Sequence, residues 1–343
     1  QLYKVNYFEF HRDEDVIKLA DDPDYDQTKF EEKLEIKGDN DHTKLIAMLN
    51  ALNDYSVPMS DILGKYFDTE NLAYWMAFQL LTGNTDTQSR NMYLYSPTNS
   101  DTFYVLDWDN DGMLMRKEYE IKQRSDGKSW ENGISNYWGN MLFSRCLQTK
   151  SFRTALDKAI QDEYKYMNAN RINSMVKHYR SITEQYVWKM PDSMYEGVTK
   201  SQYDVIANQL HSEIEQNYQT YQTGFNKPMP FYIGTPTPTN GKLKLSWDVS
   251  YDFNDEDLRY IVTVAKDYEG KDVVFTQSNL VLPEAVMDMP GEGQYFIKVS
   301  VRNASGETQD AFDYYVTDGN KIYGTKCFYV KADGSIVEDA NVQ

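Results

Sequence analysis

The spacing of apolar residues changes once along this chain, near residues 224–231, and this change limits the folds that are open to it. Before it, apolar side chains recur at the three- and four-residue intervals of an amphipathic helix, most regularly over 69–82. After it, apolar and polar residues alternate over 243–247, 260–264 and 295–301, as in half-buried strands. We therefore expect an α+β protein in which a mostly helical part precedes an all-β sandwich.

The strongest predicted helix has clear ends and leads into a predicted hairpin. Asp68 or Thr69 can cap its first turn, and Gly83 is placed to end it. Two runs rich in Tyr, Val and Leu follow at 91–95 and 102–108, and a proline-containing turn separates them. These runs predict a small β-hairpin directly after the helix.

The same rules predict the other elements of the helical part. Leu2 to Phe10 alternates loosely, which predicts a strand, whereas residues 112–140 mix Gly, Ser and Asn with charges and predict a long loop. Helices are then expected over 152–167, from a cap at Asn170, and from Ser201 to about residue 220.

Composition excludes some classes of partner. The 343 residues suit two or three domains, and they carry a net charge of −18. An acidic surface repels phosphate backbones and anionic headgroups, so we expect neither nucleic acid nor an anionic membrane as a partner. No run of about 18 apolar residues occurs, so no membrane span is expected. Cys146 and Cys327 lie in different predicted domains, and we expect two buried free thiols.

One dense group of polar residues could carry chemistry, and it flanks the predicted hairpin. Asp86 and Asn91 stand five residues apart before the first strand, and residues 106–112 (Leu-Asp-Trp-Asp-Asn-Asp-Gly) end the second. Protein kinases use this order: a catalytic-loop Asp orients the acceptor hydroxyl, an Asn five residues later binds magnesium, and a second metal-binding Asp follows. A phosphate-bound divalent cation requires such hard oxygen ligands.

These motifs resemble those of the CotH-type (spore coat protein H) atypical protein kinases. The resemblance rests on Asn84-x-Asp86-x-x-x-x-Asn91-x-Tyr93-Leu94-Tyr95 and on Tyr104 with Trp108-Asp109-Asn110-Asp111. It implies that Asp86 is the catalytic Asp and that Asn91 and Asp109 bind metal. Asp111 matches the second Asp of the family motif and is a further metal candidate. The family also implies ATP with Mg²⁺ or Mn²⁺, and a protein substrate with a Ser or Thr acceptor.

The resemblance runs from about Leu2 to about residue 225 and implies a kinase-like, mostly helical C-lobe. The family's ATP-binding lysine belongs to an N-lobe, which we expect upstream, so no residue here is assigned to ATP binding. Residues 245–248 (Leu-Ser-Trp-Asp) and the alternation over 260–264 resemble a fibronectin type III or immunoglobulin-like sandwich, with Trp247 in its core. The expected domains are therefore 1–226 (kinase-like) and 227–343 (sandwich).

Asp107 leaves a second interpretation of the acidic turn open. Asp107-x-Asp109-x-Asp111-Gly112-x5-Glu118 has the spacing of an EF-hand loop, in which alternate carboxylates surround one Ca²⁺. An EF-hand needs a helix before Asp107, where a strand is predicted, although the loop at 107–118 could bind Ca²⁺ without that fold. A plain solvated acidic turn is the third interpretation.

A literal kinase triplet also occurs at His11-Arg12-Asp13. We interpret it as a coincidence, because Lys18 stands where the metal-binding Asn would be.

Three functions follow from these observations. The first is an atypical protein kinase that phosphorylates Ser or Thr of a surface or secreted protein, which places the chain outside the cell or at its surface. The second is a surface adhesion or binding protein with a catalytically inactive kinase-like scaffold. The third is a calcium-stabilised structural module. Nothing in the sequence indicates an oligomeric state.

Overall fold

The computed structural model describes residues 1–195 and 197–339, and it contains both helices and sheets, as an α+β protein must. The chain divides into two compact units. Residues 1–122 and 137–221 form the first, and residues 123–136 together with the chain from 222 onward form the second. No helix within the described ranges is long and apolar enough to cross a membrane.

The first unit combines most of the helices with one small sheet. In chain order its elements are β1 (Leu2–Val5), α1 (Gln27–Glu31), β2 (Leu34–Ile36), α2 (Thr43–Asn53), α3 (Met59–Tyr66), α4 (Thr69–Thr82), β3 (Met92–Tyr95), β4 (Tyr104–Asp107), α5 (Arg116–Ile121), α6 (Met141–Gln148), α7 (Lys150–Tyr166), α8 (Ala169–Val187) and α9 (Lys200–Gly224). The strands form an antiparallel sheet in the order β2-β1-β3-β4. Met92 lies opposite Val5 on one side and Asp107 on the other.

Helix α4 passes through the core of this unit and ends where the loop before β3 begins. The side chain of Asp68 accepts the backbone N–H of Asn71 at 2.9 Å, and Gly83 ends the helix in a left-handed conformation with φ 63°. Trp75 stacks on Phe143 of α6 with ring centroids 5.5 Å apart. The predicted cap and stop are confirmed, and they fix the point at which residues 83–91 leave the core.

Three local predictions are corrected by the structure. The first strand does not reach residue 10, because Tyr7 and Phe10 adopt positive φ angles of 51° and 63°, which interrupt an extended chain. Helix α8 is capped by Asn168, which accepts the N–H of residue 171 at 3.2 Å, and not by Asn170. Residues 112–140 are not a continuous loop, since they include α5 and short 3₁₀ turns.

The first turn of α5 is capped by a distant residue. The backbone N–H groups of Arg116 and Lys117 donate to the carboxylate of Glu213 in α9 at 3.1 and 2.8 Å. A carboxylate at a helix N-terminus satisfies N–H groups that the helix itself leaves unpaired. The burial of Glu213 raises its pKa, and the hydrogen bonds from these two residues act in the opposite direction.

The second unit consists of strands and the segment 123–136. In chain order its strands are β5 (Thr237–Thr239), β6 (Lys242–Ser246), β7 (Arg259–Ala265), β8 (Val273–Leu280), β9 (Glu284–Asp288), β10 (Gly293–Arg302), β11 (Thr308–Asp310), β12 (Tyr314–Thr317), β13 (Asn320–Tyr323), β14 (Thr325–Val330) and β15 (Ile336–Glu338). One sheet has the order β5-β6-β9, and the larger one has the order β15-β14-β10-β7-β8 with β11 paired to β10. Strands β12 and β13 form a separate ribbon.

The apolar faces of both sheets contribute to one core. Leu243, Leu245 and Trp247 come from the smaller sheet and its edge, and Val262 and Ile297 come from the larger one. Trp247 is therefore in the sandwich core, as the alternation predicts. The two cysteines are also as predicted, since Cys146 and Cys327 are buried free thiols.

The segment 123–136 packs within this second unit. The buried Trp130 lies edge-on to Phe312 and Tyr323, with ring centroids 5.2 and 5.9 Å away. The buried carboxylate of Glu131 accepts from Lys321 at 2.5 Å and from Tyr323 at 2.9 Å. These aromatic and ionic contacts make the segment part of the sandwich unit.

Candidate active site

Two loops of the first unit meet at one end of the β3–β4 hairpin. Asp86 lies in the loop between α4 and β3, and residues 110–112 form a 3₁₀ turn after β4. A methyl group added to Gly112 would lie 3.4 Å from Cβ of Asp86 and 2.9 Å from Oδ1 of Asn84. The structure thus brings the Asp86 loop against the turn that carries Asp111, as the order of the motifs requires.

Side chains of its own loop hold the carboxylate of Asp86. The Nε of Arg90 donates to Oδ1 at 2.7 Å, and a second guanidinium nitrogen forms an ion pair with the same oxygen. Asn91 donates through Nδ2 to Oδ2 at 2.9 Å. Arg90 also donates to the hydroxyl of Tyr7 and lies over its ring, 5.0 Å from the centroid. Each carboxylate oxygen can accept more than one hydrogen bond. Asp86 can therefore still accept a hydrogen bond from the substrate hydroxyl to which phosphate would be transferred.

Hydrogen bonds from buried residues hold the backbone of this loop in place. Asn84 is buried, and its Oδ1 accepts the N–H of Asp86 at 3.2 Å. The hydroxyl of Tyr137 donates to the carbonyl of Asn84 at 3.1 Å and bonds Oγ1 of Thr87 at 2.9 Å. These bonds fix where the carboxylate of Asp86 leaves the core.

The predicted metal ligands are Asn91, Asp109 and Asp111, and they differ in their surroundings. Asn91 and Asp109 have positive φ angles of 58° and 54°, a conformation that Asn and Asp tolerate better than most residues. The side chains of Asp109 and Asp111 are exposed, and within the described residues they have no hydrogen-bond partner. They are therefore available to a ligand.

The donors fit a hard divalent cation in chemical kind. Carboxylate and amide oxygens of the type that Asn91, Asp109 and Asp111 carry are the ligands that Mg²⁺ and Mn²⁺ prefer. The acidic groups are not gathered in advance, however. Across residues 1–195 and 197–339, no group of three or more His, Cys, Asp or Glu side chains is arranged to hold a metal.

The calcium-loop interpretation finds no support in these positions. Asp107 is the last residue of a strand, β4, and its Oδ1 accepts from Gln79 at 2.8 Å. Glu118, the twelfth residue of that pattern, pairs instead with Lys122 within α5. Desolvation of its carboxylate raises the pKa of Asp107, while hydrogen bonds from Asn110 and Gln79 act in the opposite direction.

Two polar residues near the site were not identified by the sequence analysis, because no motif includes them. Gln79, in the last turn of α4, is 1% exposed and bonds both loops through Asn84 and Asn110. Glu163 of α7 has a buried Oε2 without a hydrogen-bond partner in the described part of the chain. Burial, with a smaller effect of the charge on Asp107, raises the pKa of Glu163 to about 8. Each stands in a helix among residues of unrelated role, so spacing alone does not single it out.

The triplet at residues 11–13 has ordinary structural contacts. Arg12 donates to Oδ1 of Asn50 at 2.6 Å and to the carbonyl of Ile17 at 2.8 Å. Asp13 forms an ion pair with Lys33 at 2.9 Å. These contacts account for Arg12 and Asp13 without chemistry.

A protein-family model matches well over half of the chain. The family model described as CotH kinase protein matches residues 1–221. No curated protein matches the chain.

Proposed function

The chain belongs to the CotH kinase family, and we propose that its first unit is the catalytic part of an atypical protein kinase. In this proposal it transfers the γ-phosphate of ATP to Ser or Thr of a surface or secreted protein. The observation that supports it most is the contact of the Asp86 loop with the turn at Gly112, because phosphoryl transfer needs both motifs at one place.

The proposed role of Asp86 is to orient the acceptor hydroxyl and take its proton. The acceptor oxygen forms a bond to the γ-phosphorus, the bond from that phosphorus to the β–γ bridging oxygen breaks, and the hydroxyl proton passes to Asp86. Arg90 and Asn91 hold the carboxylate in one orientation, so that its position is set before the substrate arrives.

The proposed metal ligands are Asn91 and Asp109, with Asp111 as a further candidate. Membership of a kinase family implies ATP and a divalent cation in general, and a bound Mg²⁺ or Mn²⁺ would neutralise charge on the transferred phosphate. Asn91 uses its side-chain Nδ2 to donate to Asp86, so the amide oxygen of the same side chain remains for a cation.

We propose that residues 227–343 are a fibronectin type III-like spacer or binding platform, and that the protein acts outside the cell or at its surface. The three-stranded sheet β5-β6-β9 and the larger antiparallel sheet, which share one core, support the first part of this proposal, since such domains are sandwiches of two antiparallel sheets. The larger sheet has six strands, two more than the usual four. The extracellular placement rests on the family and on this sandwich.

A surface binding protein with an inactive kinase-like scaffold is the second candidate. Two observations favour it: both oxygens of Asp86 already have partners, and the acidic side chains of the described residues are not gathered around a metal position. In this case the loops would keep their shape without transferring phosphate.

Radiolabelled phosphate transfer by the full-length gene product separates these candidates. The assay uses ATP with Mg²⁺ or Mn²⁺ and a Ser-rich acceptor, and it compares wild type with Asp86→Asn and Asp109→Asn. Removing a general base or a metal ligand should lower transfer by about 100-fold or more. Asp13→Asn is the matched control, because this Asp belongs to the other kinase-like triplet and pairs with Lys33.

Loss of label in the two site variants, with Asp13→Asn equal to wild type, is the expected result. Full transfer by Asp86→Asn would refute the assignment of the catalytic residue. A wild type that transfers no phosphate and binds no ATP would support the scaffold candidate.

A further inference from the structure

Gln79 is a buried amide whose polar atoms have partners in both loops of the candidate site and in the last residue of β4. Its Nε2 donates to Oδ1 of Asp107 at 2.8 Å and to Oδ1 of Asn110 at 3.3 Å. Its Oε1 accepts from Nδ2 of Asn84 at 3.0 Å. Asn84 precedes Asp86, and the other two partners flank Asp109. One side chain of a rigid helix therefore binds both loops at once.

The partners of Gln79 also bind each other. Nδ2 of Asn84 donates to Oδ1 of Asn110 at 3.3 Å, and Oδ1 of Asn84 accepts the N–H of Asp86. The backbone adds two bonds, from the N–H of Asn84 to the carbonyl of Gln79 at 3.0 Å and from the N–H of Leu114 to the carbonyl of Thr82 at 2.8 Å. The end of α4 is thus a fixed reference for both loops.

Packing alone does not require a polar side chain at the buried position of Gln79. Burying an amide is unfavourable unless its hydrogen bonds are made, and a fully bonded polar group in a core mainly fixes one arrangement of its partners. Here the arrangement that is fixed is the spacing between the Asp86 loop and the turn with Asp109 and Asp111. Substitution of a residue that orients metal ligands through hydrogen bonds, without binding the metal itself, typically changes the metal affinity.

We propose that Gln79 is a positioning residue that sets the distance between the Asp86 loop and the turn with Asp109 and Asp111. This distance in turn sets the metal concentration that phosphoryl transfer requires. The effect on transfer rests on the proposed function. The effect on the two loops rests on the hydrogen bonds alone, so it can be measured separately.

The test compares Gln79→Glu with the double variant Gln79→Glu/Asp107→Asn in the full chain. The glutamate keeps the size of the side chain and the acceptor for Asn84, but in its ionised form it replaces the donor by an oxygen facing the Asp107 carboxylate. In the double variant, the amide introduced at position 107 can donate to that oxygen, which restores the bond in the reverse sense. Asp68→Ala is the matched control, because it removes the cap at the other end of α4 without touching either loop.

Hydrogen–deuterium exchange is the first readout and needs no activity. In Gln79→Glu we expect residues 84–91 and 108–112 to exchange together, about tenfold faster than in wild type, because their common partner is lost. The double variant should return most of this protection. Asp68→Ala should lose thermal stability and leave exchange in both segments unchanged.

The second readout is the Mn²⁺ concentration that gives half-maximal phosphate transfer. It should rise about tenfold in Gln79→Glu, return towards wild type in the double variant, and stay unchanged in Asp68→Ala. Unchanged exchange in both loops of Gln79→Glu would overturn the proposal. Faster exchange with an unchanged Mn²⁺ requirement would overturn its functional part. A wild type without transfer would refute the proposed kinase, while the exchange result would still decide the role of Gln79 in placing the loops.

Discussion

Replacing Gly112 with alanine should destabilise the first unit through a single added methyl group. That methyl would lie 2.9 Å from Oδ1 of Asn84, where an ordinary contact begins at 3.4 Å. Asn84 is 2% exposed and bonded on both sides, so it cannot turn away freely. The φ of Gly112 is not positive, so the substitution tests this contact and not the backbone conformation.

The size of the effect follows from two contributions. Overpacking a buried site by one methyl group costs about 1–3 kcal/mol, and the weakened bond from the N–H of Asp86 to Asn84 costs about 1 kcal/mol. Alanine also restricts the unfolded chain, which returns about 0.5 kcal/mol. We therefore expect the free energy of unfolding to fall by about 2 kcal/mol.

Urea denaturation followed by helical circular dichroism measures this, since helices lie mainly in the first unit. Gly64→Ala is the control: it lies in α3, and an added methyl there meets no atom within 4 Å. Alanine should stabilise that helix by about 1 kcal/mol. Equal stabilities for the two variants would refute the close contact between the Gly112 turn and the Asp86 loop.

Three further outcomes are expected. The pKa of Glu163 is raised to about 8, so the folded chain keeps a proton that the unfolded chain releases near pH 4.5. Stability should then fall as pH rises between those values, and Glu163→Gln should flatten the profile of Tm against pH across that range. Trp130→Ala should cost about 3–5 kcal/mol and open residues 123–136 to limited proteolysis, whereas unchanged protease resistance would contradict their packing. Arg145→Met removes a guanidinium donor from three backbone carbonyls, of which that of Asp54 keeps the N–H of Val57, and should lower the free energy of unfolding by about 2–3 kcal/mol in urea titrations, while an unchanged midpoint would show that these bonds contribute nothing.

Local sequence signals predicted those features that depend on neighbouring residues. The cap at Asp68, the stop at Gly83 and the alternation around Trp247 each involve residues within a few positions of one another. Helix α5 could not be predicted in this way, because its N–H groups are capped by Glu213, almost a hundred residues later. A tertiary cap leaves no mark in the local sequence.

In the candidate site too, the sequence predicted the features that depend on local spacing and did not predict those that depend on tertiary contacts. The spacing of Asp86 and Asn91 and the acidic turn after the hairpin indicated which residues come together, and the family motif supplied their proposed roles. The ion pair of Asp86 with Arg90 and the bonds of Gln79 depend on side-chain directions that no spacing rule describes. The roles of Asp86, Asn91, Asp109 and Asp111 stay predictions until the substitutions are made.

The place of Trp130 bears on how a gene for such a protein can be divided. The match to the family ends at residue 221, yet the segment 123–136, inside that match, packs in the second unit. A gene cut at the family boundary would encode Trp130 without Phe312, Tyr314 and Tyr323 around it. The sandwich therefore cannot be removed or exchanged as a continuous stretch of sequence, because the segment 123–136, which packs in it, lies within the part of the chain that matches the kinase family.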